Sequence, residues 1–376
     1  MTNKLINNSA YPSESLYNAL YGDSPDRRFR YELYDNTNGF KTELDCVLNG
    51  GSVTYAYNSE IRRTCSFTVV ETSNFNQINF ITDRVKVVCD VYDRDTDTWI
   101  SCPLGMFVLS SATRKAGVGV ITREVSGYDL AQQLKRYKHK ENYSTVVGGN
   151  VIQAVRDLLT AANLTSNIED KGSLFTYTSL FLIGEEYLAT INALLGMIGY
   201  GSLFFDGNGV ACALPYIPPA QRTPELTYQT DETSLIADGA ELTLDLFDVP
   251  NVIIVTPSSS EASTTIAAAY AYNDNPDSPT SRVATGEERV MKYEMEDVTT
   301  SDQAQAKANQ YLVENSQVYQ EVNFSTSIVP VHGENNTIQF THDELGDSAL
   351  YTEQNWSIPL QFDGVMTHTI RRTIAI

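Results

Sequence analysis

The feature of this sequence that most constrains its fold is a change of hydrophobic period along the chain. Between residues 29 and 125, apolar residues alternate with polar ones in short runs. The clearest run is Val85, Val87, Cys89 and Val91. Such alternation, broken by turn residues about every 8–12 positions, is typical of a barrel or a sandwich. We therefore expect a β-rich domain over residues 23–128, preceded by an arm over residues 1–22.

The middle of the chain changes to helical periodicity. After Asn150, the apolar residues share one face of a helix: Val151, Ile152, Val155, Leu158, Leu159 and Ala162. Asn150 predicts the N-cap of this helix, and Gly199 predicts the end of a second helix that starts near Tyr187. Gly207 and Gly209 predict a hairpin turn between two short strands. Together these elements predict a small α/β domain over residues 129–216.

Strand patterns resume after a proline-rich segment that ends near Pro224. One helix interrupts them near residues 301–315, where Thr300 and Gln303 have the spacing of a capping box. We expect residues 217–376 to form a second β-barrel-like domain that includes this helix. The predicted fold class is thus β-rich α+β, with two β-barrel-like domains and an inserted or intervening α/β domain.

The charge balance argues against a surface built to hold nucleic acid. Forty-seven acidic residues face 26 basic ones, which gives a formal charge of -21. Neutralising phosphates requires clustered Lys and Arg, so sequence-specific nucleic-acid binding is not expected. Plain solubility explains the acidity equally well.

The five cysteines predict neither a disulfide framework nor a zinc site. Their number is odd and no pair has CxxC spacing: Cys46, Cys65, Cys89, Cys102 and Cys212. We expect them to pack as small apolar side chains in a chain folded in a reducing cytoplasm. The polar first 20 residues lack the pattern of a signal peptide, and no apolar run reaches the roughly 18 residues of a membrane span.

One acidic motif opens like a calcium-binding loop but does not continue as one. Asp93, Asp95 and Asp97 have the spacing of the first three ligands. The sixth position is Thr98 where glycine is needed, and the twelfth is Leu104 where glutamate is needed. Because strand patterns flank the motif, we interpret it as a solvated turn.

The histidines have no spacing typical of a zinc site carried by a helix: His139, His332, His342 and His368. The sequence His342-Asp343-Glu344 joins a base to carboxylates in a polar loop ahead of Gly346. No nucleophile motif accompanies it, so we interpret His342 as a surface residue.

Glycines and adjacent carboxylates also have structural explanations. Gly117 and Gly119 lie between strand patterns, and neither they nor the segment at Gly199 completes a phosphate-binding loop. Glu185-Glu186 opens a helix, where negative charge is favourable. A glycosidase pair stays open, because its two carboxylates need not be adjacent in the chain. We assign no catalytic, cofactor-binding or metal-binding residue, expect no cofactor, and leave the interface residues unassigned.

Taken in order, three stretches resemble the tail-hub or baseplate-hub proteins of tailed phages and related injection machines. The first comprises residues 30–34, 103–109 and 126–130. The second is the helix after Gly149-Asn150 with its partner over residues 185–198. The third comprises residues 251–255, 277–281, Gly286, the helix with Ala304, Ala306 and Ala308, residues 357–360, 363–364 and 371–372. The resemblance thus extends from about Arg30 to Arg372.

This resemblance implies two barrel-like hub domains per chain plus inserted α/β domains. It also implies that three chains close into a ring of six barrels through which DNA passes. The ring joins the hexameric tail tube or distal tail protein to trimeric tip, spike or fibre proteins, and a tape-measure protein is a further candidate partner. The implied location is the virion tail, after assembly in the host cytoplasm. Some relatives carry a cell-wall hydrolase in an extension, but this chain stops at Ile376, soon after Arg371-Arg372, so we expect no enzymatic role.

Two alternatives stay open at this point. Another β-rich tail component, such as a receptor-binding or distal tail protein, would present a carbohydrate-binding groove lined with Trp and Tyr. A cell-surface glycoside hydrolase or esterase would turn over polysaccharide, and the loss of one carboxylate would abolish that activity.

Overall fold

The computed structural model describes residues 13–21, 25–71, 78–110, 113–117, 119–218, 221–232, 234–244, 246–247, 249–257, 267–295, 300–315 and 317–375. Strands predominate over helices in these residues, which confirms the predicted β-rich class. The strands are β1 (Arg27–Tyr34), β2 (Phe40–Glu43), β3 (Val47–Ala56), β4 (Arg63–Val70), β5 (Arg84–Asp93), β6 (Thr98–Leu109), β7 (Thr113–Ala116), β8 (Ile121–Asp129), β9 (Tyr143–Ser144), β10 (Ser166–Ile168), β11 (Leu180–Phe181), β12 (Phe204–Phe205), β13 (Ala211–Ala213), β14 (Leu226–Gln229), β15 (Glu241–Leu244), β16 (Val252–Pro257), β17 (Ala269–Tyr272), β18 (Val290–Met295), β19 (Gln317–Ser327), β20 (Thr337–His342), β21 (Asp347–Pro359) and β22 (Val365–Ala375). The helices are α1 (Ser13–Tyr21), α2 (Ala131–Arg136), α3 (Val151–Ala161), α4 (Tyr187–Met197), α5 (Arg282–Thr285) and α6 (Ser301–Asn315).

The chain divides into two compact units. The first combines residues 1–240 with residues 323–370, and the second combines residues 241–322 with residues 371–376. The regions predicted as the first barrel-like domain and the α/β domain both belong to the first unit. The region predicted as the second barrel-like domain contributes to both units. We keep the boundaries at residues 22, 128 and 216 as a proposal.

A large sheet in the first unit carries the strands of the amino-terminal part. Neighbouring strands in this sheet are paired in the order β21-β3-β4-β8-β6-β5-β1-β2. Strand β5 is antiparallel to both β1 and β6. The predicted alternation along β5 is confirmed, because four side chains of one phase are fully buried: Val85, Val87, Cys89 and Val91. Val88, which points to the opposite face, is also buried, so both faces of β5 are covered.

Helix α1 corrects one expectation. The polar sequence of residues 1–22 predicts an arm, but residues 13–21 form a helix whose Leu16 and Leu20 are buried. These two leucines are four positions apart and therefore lie on one face of the helix. The other residues of the predicted arm lie outside the described residues.

The region over residues 129–216 has the predicted helices and hairpin. Asn150 caps α3, since its Oδ1 accepts the backbone N–H of Gln153 at 2.7 Å. Helices α3 and α4 contribute to one core through buried residues that include Val155 and Ile191. In the hairpin of β12 and β13, Asp206 Oδ1 accepts the backbone N–H of Val210 at 2.9 Å.

A second group of strands in the first unit comes from the carboxy-terminal part of the chain. Strand β20 pairs in parallel with β14 and antiparallel with β21, and β22 lies between β21 and β19. The chain that follows β14 reaches β19, because the backbone N–H of Ala237 donates to the carbonyl of Ser325 at 2.8 Å. Aromatic rings fill the space between these strands. The ring centroid of Phe324 lies 5.3 Å from that of Tyr228 and 5.0 Å from that of Phe340.

Strand β21 joins the two groups of strands. Its first half pairs with β20, and its second half pairs with β3. Trp356 of β21 faces Tyr55 of β3 in this register, and their rings stack with centroids 5.6 Å apart. Strands that are about 300 residues apart in sequence therefore share one sheet.

The second unit contains a three-stranded sheet in the order β17-β16-β18. Helix α6 covers one face of it, where Ala304 and Ala308 belong to one apolar cluster with Ile253 and Val255. The helix predicted near residues 301–315 is confirmed as α6, and the Oγ1 of the predicted cap Thr300 accepts the backbone N–H of Gln303 at 3.2 Å. No helix among the described residues is long and apolar enough to cross a membrane.

Two adjacent glycines in β3 offer a test of its close approach to β4. Gly50 and Gly51 have φ values of 111° and 95°, where side chains are strained. A Cβ on Gly51 would lie 2.1 Å from the carbonyl oxygen of Ser66, whereas a Cβ on Gly50 would meet nothing within 4 Å. Only Gly51 is therefore required by packing as well as by backbone conformation.

We predict that Gly50→Ala and Gly51→Ala both destabilise the protein but by different amounts. Both substitutions add backbone strain of about 1–3 kcal/mol. Gly51→Ala must also push β4 away, which costs about another 1–3 kcal/mol. Urea denaturation of the two variants measures this difference, and equal free energies of unfolding would contradict the close approach of the two strands.

Candidate functional site

The calcium-like motif forms the turn of a hairpin. Asp93 ends β5 and Thr98 begins β6, and the two residues pair across the hairpin. Asp93 Oδ1 accepts the backbone N–H of Asp95 at 3.0 Å, and Asp93 Oδ2 accepts the hydroxyl of Thr96 at 2.7 Å. The residues between the strands are exposed. This carboxylate thus holds the turn together, in agreement with the interpretation of a solvated turn.

The glycine and glutamate motifs also lie at turns and helix ends. Gly119 lies in the turn between β7 and β8 with a φ of 75°, and Gly199 follows α4 with a φ of 72°. Glu186 is the N-cap residue of α4. Val118, between Gly117 and Gly119, lies outside the described residues.

The sequence His342-Asp343-Glu344 lies at the turn between β20 and β21. It lines a cavity of about 660 Å³ together with residues 236–240 and Thr230. His342 Nδ1 accepts the backbone N–H of Leu345 at 3.3 Å, and Thr230 Oγ1 accepts the backbone N–H of Asp343 at 3.0 Å. His342 is half-buried, and its hydrogen bond holds its own turn.

A buried cluster of two histidines and one glutamate is the candidate functional site. His332 lies in the loop before β20, Glu353 lies on β21, and His368 lies on β22. The Nδ1 atom of His332 lies 2.8 Å from Glu353 Oε2, and the Nδ1 atom of His368 lies 3.0 Å from Glu353 Oε1. One carboxyl group therefore bridges two imidazole rings, and we call these three residues the bridged cluster.

Two hydroxyl groups hold the far sides of the rings. The Tyr228 hydroxyl lies 2.7 Å from His332 Nε2, and Thr326 Oγ1 lies 2.9 Å from His368 Nε2. All four ring nitrogens of the two histidines thus have hydrogen-bond partners, as buried polar groups require. Phe324 stacks on His368 with ring centroids 4.6 Å apart, so these hydrogen bonds lie within an aromatic core.

Burial controls the protonation of the bridged cluster. All three side chains have 0% exposure. Burial lowers the pKa of His332 to about 3 and that of His368 to about 4. Burial also raises the pKa of Glu353, although its hydrogen bond to His368 acts in the opposite direction. All three shifts favour uncharged side chains.

The spacing within the bridged cluster is that of hydrogen bonds. Imidazole and carboxylate ligands lie about 2.0–2.2 Å from a tetrahedral zinc ion, which separates them by about 3.3 Å. The nitrogen-to-oxygen distances here are 2.8 and 3.0 Å, close to the usual length of an N–H···O bond. The geometry therefore fits a shared-proton network better than a metal centre.

The spacing of these three residues in the sequence does not predict the bridged cluster, because they are distant from one another in the chain. The signal that predicts buried polar residues of this kind is the alternation of inward and outward side chains along each strand. Glu353 shares the buried phase of Tyr351 on β21, while His368 shares that of Met366 and Ile370 on β22. A titratable side chain on the buried phase of a strand predicts a partnered polar group.

The region over residues 129–216 carries a set of exposed apolar side chains. Residues 145–149 run beside residues 175–179, joined by hydrogen bonds such as Thr145 N–H to Ser179 O at 2.9 Å. The side chains on and beside these segments are more than half exposed: Val146, Val147, Leu174, Tyr177, Leu180, Leu182 and Ile183. We call these seven residues the apolar patch. Several exposed apolar side chains in one region of a fold are more typical of an interaction site than single ones are.

Comparisons with known proteins identify the fold. No family model matches the sequence, and no curated protein matches it. The tail protein from Neisseria meningitidis MC58 is similar in structure, with a TM-score of 0.57 and 12% identity over 92% of this chain and 97% of that chain. The 43 kDa tail protein of prophage MuSo2 from Shewanella oneidensis gives a TM-score of 0.56 and 11% identity over 91% of this chain and 98% of that chain. Prophage tail protein gp18 from Listeria monocytogenes EGD-e gives a TM-score of 0.51 and 11% identity over 91% of this chain and 94% of that chain.

These likenesses extend over almost the whole of this chain and of each tail protein. At such low sequence identity they show a shared fold. The chain therefore has the fold of phage tail proteins, and the resemblance predicted from the sequence is confirmed at that level.

We predict that Tyr228→Phe lowers the free energy of unfolding by about 1–3 kcal/mol, because it leaves the buried Nε2 of His332 without its partner. Tyr319→Phe is the matched control, since the Tyr319 side chain is 59% exposed. Urea denaturation at neutral pH measures both. A Tyr228→Phe protein as stable as the control would show that this hydrogen bond contributes nothing.

Proposed function

We propose that this chain is a structural, non-enzymatic tail-hub or baseplate-hub protein of a tailed phage or a related injection machine. The observation that carries the proposal is the fold match to the Neisseria tail protein, which covers 92% of this chain and 97% of that one. Three copies would form a ring with pseudo-sixfold symmetry. The ring would join the tail tube or distal tail protein to the tip, spike or fibre proteins, contact the tape-measure protein, and let DNA pass.

A pseudo-sixfold ring of three chains needs two similar barrel-like domains in each chain. The carboxy-terminal strand group supports one of them, because its outer strands approach each other. Backbone hydrogen bonds of 2.8 and 3.2 Å join residues 235–237, which follow β14, to β19. The antiparallel strands β1 to β8 are the candidate for the other barrel. Closing both sheets would also remove exposed strand edges.

The apolar patch supports a role in assembly. A protein that works alone in water rarely exposes so many neighbouring apolar side chains. Association with other tail proteins would cover them. In this proposal the chain is assembled in the host cytoplasm and functions in the virion tail.

The mass of the purified protein in solution tests the ring. Three chains of 41.7 kDa give a particle of about 125 kDa. We expect light scattering on a sizing column to report this mass, and electron micrographs of the same fraction to show six-lobed rings. A monomer that stays monomeric when mixed with tail-tube protein would contradict the proposal.

The formal charge of -21 supports an acidic ring lumen that DNA passes without binding. Like charges repel over a screening length of about 8–10 Å at physiological salt. We expect fluorescence anisotropy to detect no binding of duplex DNA between about 50 and 200 mM salt. Binding that weakens steeply as salt rises would instead reveal a basic surface.

A further inference from the structure

We propose that Glu353 is protonated and uncharged in the folded protein at neutral pH, and that it donates this proton to His368. Folding then takes up one proton at a site with no contact to solvent. The stability of the first unit would therefore decrease as the pH rises above neutrality. The number of protons in the bridged cluster follows from its hydrogen bonds, taken from each end in turn.

At one end, Thr326 determines which nitrogen of His368 carries hydrogen. Thr326 Oγ1 lies 2.7 Å from the carbonyl oxygen of Ser327 and 2.9 Å from His368 Nε2. A hydroxyl group has one proton, and a carbonyl oxygen only accepts, so the Thr326 proton goes to Ser327. His368 Nε2 must then carry a hydrogen and donate it to Thr326 Oγ1.

This tautomer leaves the other nitrogen of an uncharged His368 as an acceptor. That nitrogen, Nδ1, lies 3.0 Å from Glu353 Oε1. An ionised carboxylate is also an acceptor, and two acceptors do not attract each other at hydrogen-bond distance. One proton must therefore lie between His368 and Glu353.

At the other end, the same carboxyl group meets His332. Its single proton is engaged with His368, so Glu353 Oε2 accepts the Nδ1–H of His332 at 2.8 Å. His332 Nε2 is then an acceptor and receives the hydroxyl proton of Tyr228 at 2.7 Å. With this assignment, every donor has an acceptor in the series of hydrogen bonds that begins at the Tyr228 hydroxyl and ends at the Ser327 carbonyl.

Burial favours the uncharged form of the pair over an ion pair. A positive His368 beside a negative Glu353 would contain the same number of protons. It would, however, hold two charges at 0% side-chain exposure, where the loss of hydration opposes ionisation. The raised pKa of Glu353 and the lowered pKa of His368 agree with the uncharged form.

Three titratable groups on neighbouring elements interact electrostatically with Glu353. Arg63 on β4 favours the ionised carboxylate, but burial is the larger influence. The Arg63 guanidinium is also engaged elsewhere, since its Nη1 donates to the carbonyl of Leu104 at 2.8 Å. Burial raises the pKa of Glu225, just before β14, and Glu353 raises it further. Tyr55 on β3 is uncharged at this pH because burial raises its pKa.

The bridged cluster stabilises the folded protein less when the pH rises and also when it falls. An unfolded glutamate loses its proton above a pKa of 4.5, whereas folded Glu353 keeps it, so stability falls as the pH rises toward the raised pKa. Unfolded histidines gain protons below a pKa of 6.5, whereas the folded pKa values are about 3 for His332 and about 4 for His368. Stability therefore also falls as the pH drops below about 6.5.

The variant Glu353→Gln tests whether folding takes up the proton that lies between Glu353 and His368. A glutamine amide accepts one hydrogen bond and donates another, as the protonated carboxyl does, but it does not ionise. Between about pH 7 and pH 9, the unfolding constant of the wild type should rise relative to that of the variant by up to tenfold per pH unit. Urea denaturation at three pH values measures this ratio.

Glu344→Gln is the matched control, since Glu344 is exposed. The ratio of the wild-type unfolding constant to that of Glu344→Gln should stay constant over the same pH range. A constant ratio for Glu353→Gln would overturn the proposal, because Glu353 would then take up no proton on folding. That constant ratio is the result expected of an ionised Glu353, because the carboxylate would then be ionised in both the folded and the unfolded protein over this pH range.

A second measurement needs no variant and holds if Glu353→Gln fails to fold. At pH 7.5 the exposed carboxyl groups of this acidic chain are ionised, so a protonated carboxyl should give a separate infrared carbonyl band. We expect the folded wild type to show this band and the urea-unfolded protein to lose it. Absence of the band from the folded protein would overturn the proposal.

Discussion

The pairing of β21 with two different strands is the constraint on which the rest of the first unit depends. Its first half continues the sheet through β20, and its second half pairs with β3 from the other end of the sequence. Tyr55 and Trp356 stack across this register and are both buried. A slip of one residue would turn every inward side chain of β21 outward, including Glu353.

This constraint has a kinetic consequence. The contacts of β21 with β3 join residues about 300 positions apart, so the loop between them must close before these contacts form. Antiparallel partners such as β5 and β6 are adjacent in the chain and do not need such closure. Sheets with many distant contacts fold slowly, and we expect the β21–β3 pairing to form late.

The sequence predicted the elements whose pattern is local. The alternation of β5, the face of α3, its cap at Asn150 and the helix α6 all depend on residues within a few positions of one another. The resemblance to tail proteins likewise rested on the order of such elements, and the fold comparisons confirm it.

What the sequence did not reveal depends on distant contacts. The division of the region over residues 217–376 between two units follows from strand pairings that no local pattern contains. The helix α1 was not predicted because few apolar residues, among them Leu16, Ala19 and Leu20, mark its buried face within a polar segment. The bridged cluster was missed because its members are far apart, although the buried phase of Glu353 and His368 was a usable signal.

The location of the bridged cluster also bears on function. A general base must come within hydrogen-bond reach of the proton that it takes from a substrate. The bridged cluster has 0% side-chain exposure, and its polar atoms are already bonded to Tyr228 and Thr326. The groups that resembled sites in the sequence, Asp93 and His342, hold their own turns. In the bridged cluster, at Asp93 and at His342, polar side chains therefore hold strands and turns in position.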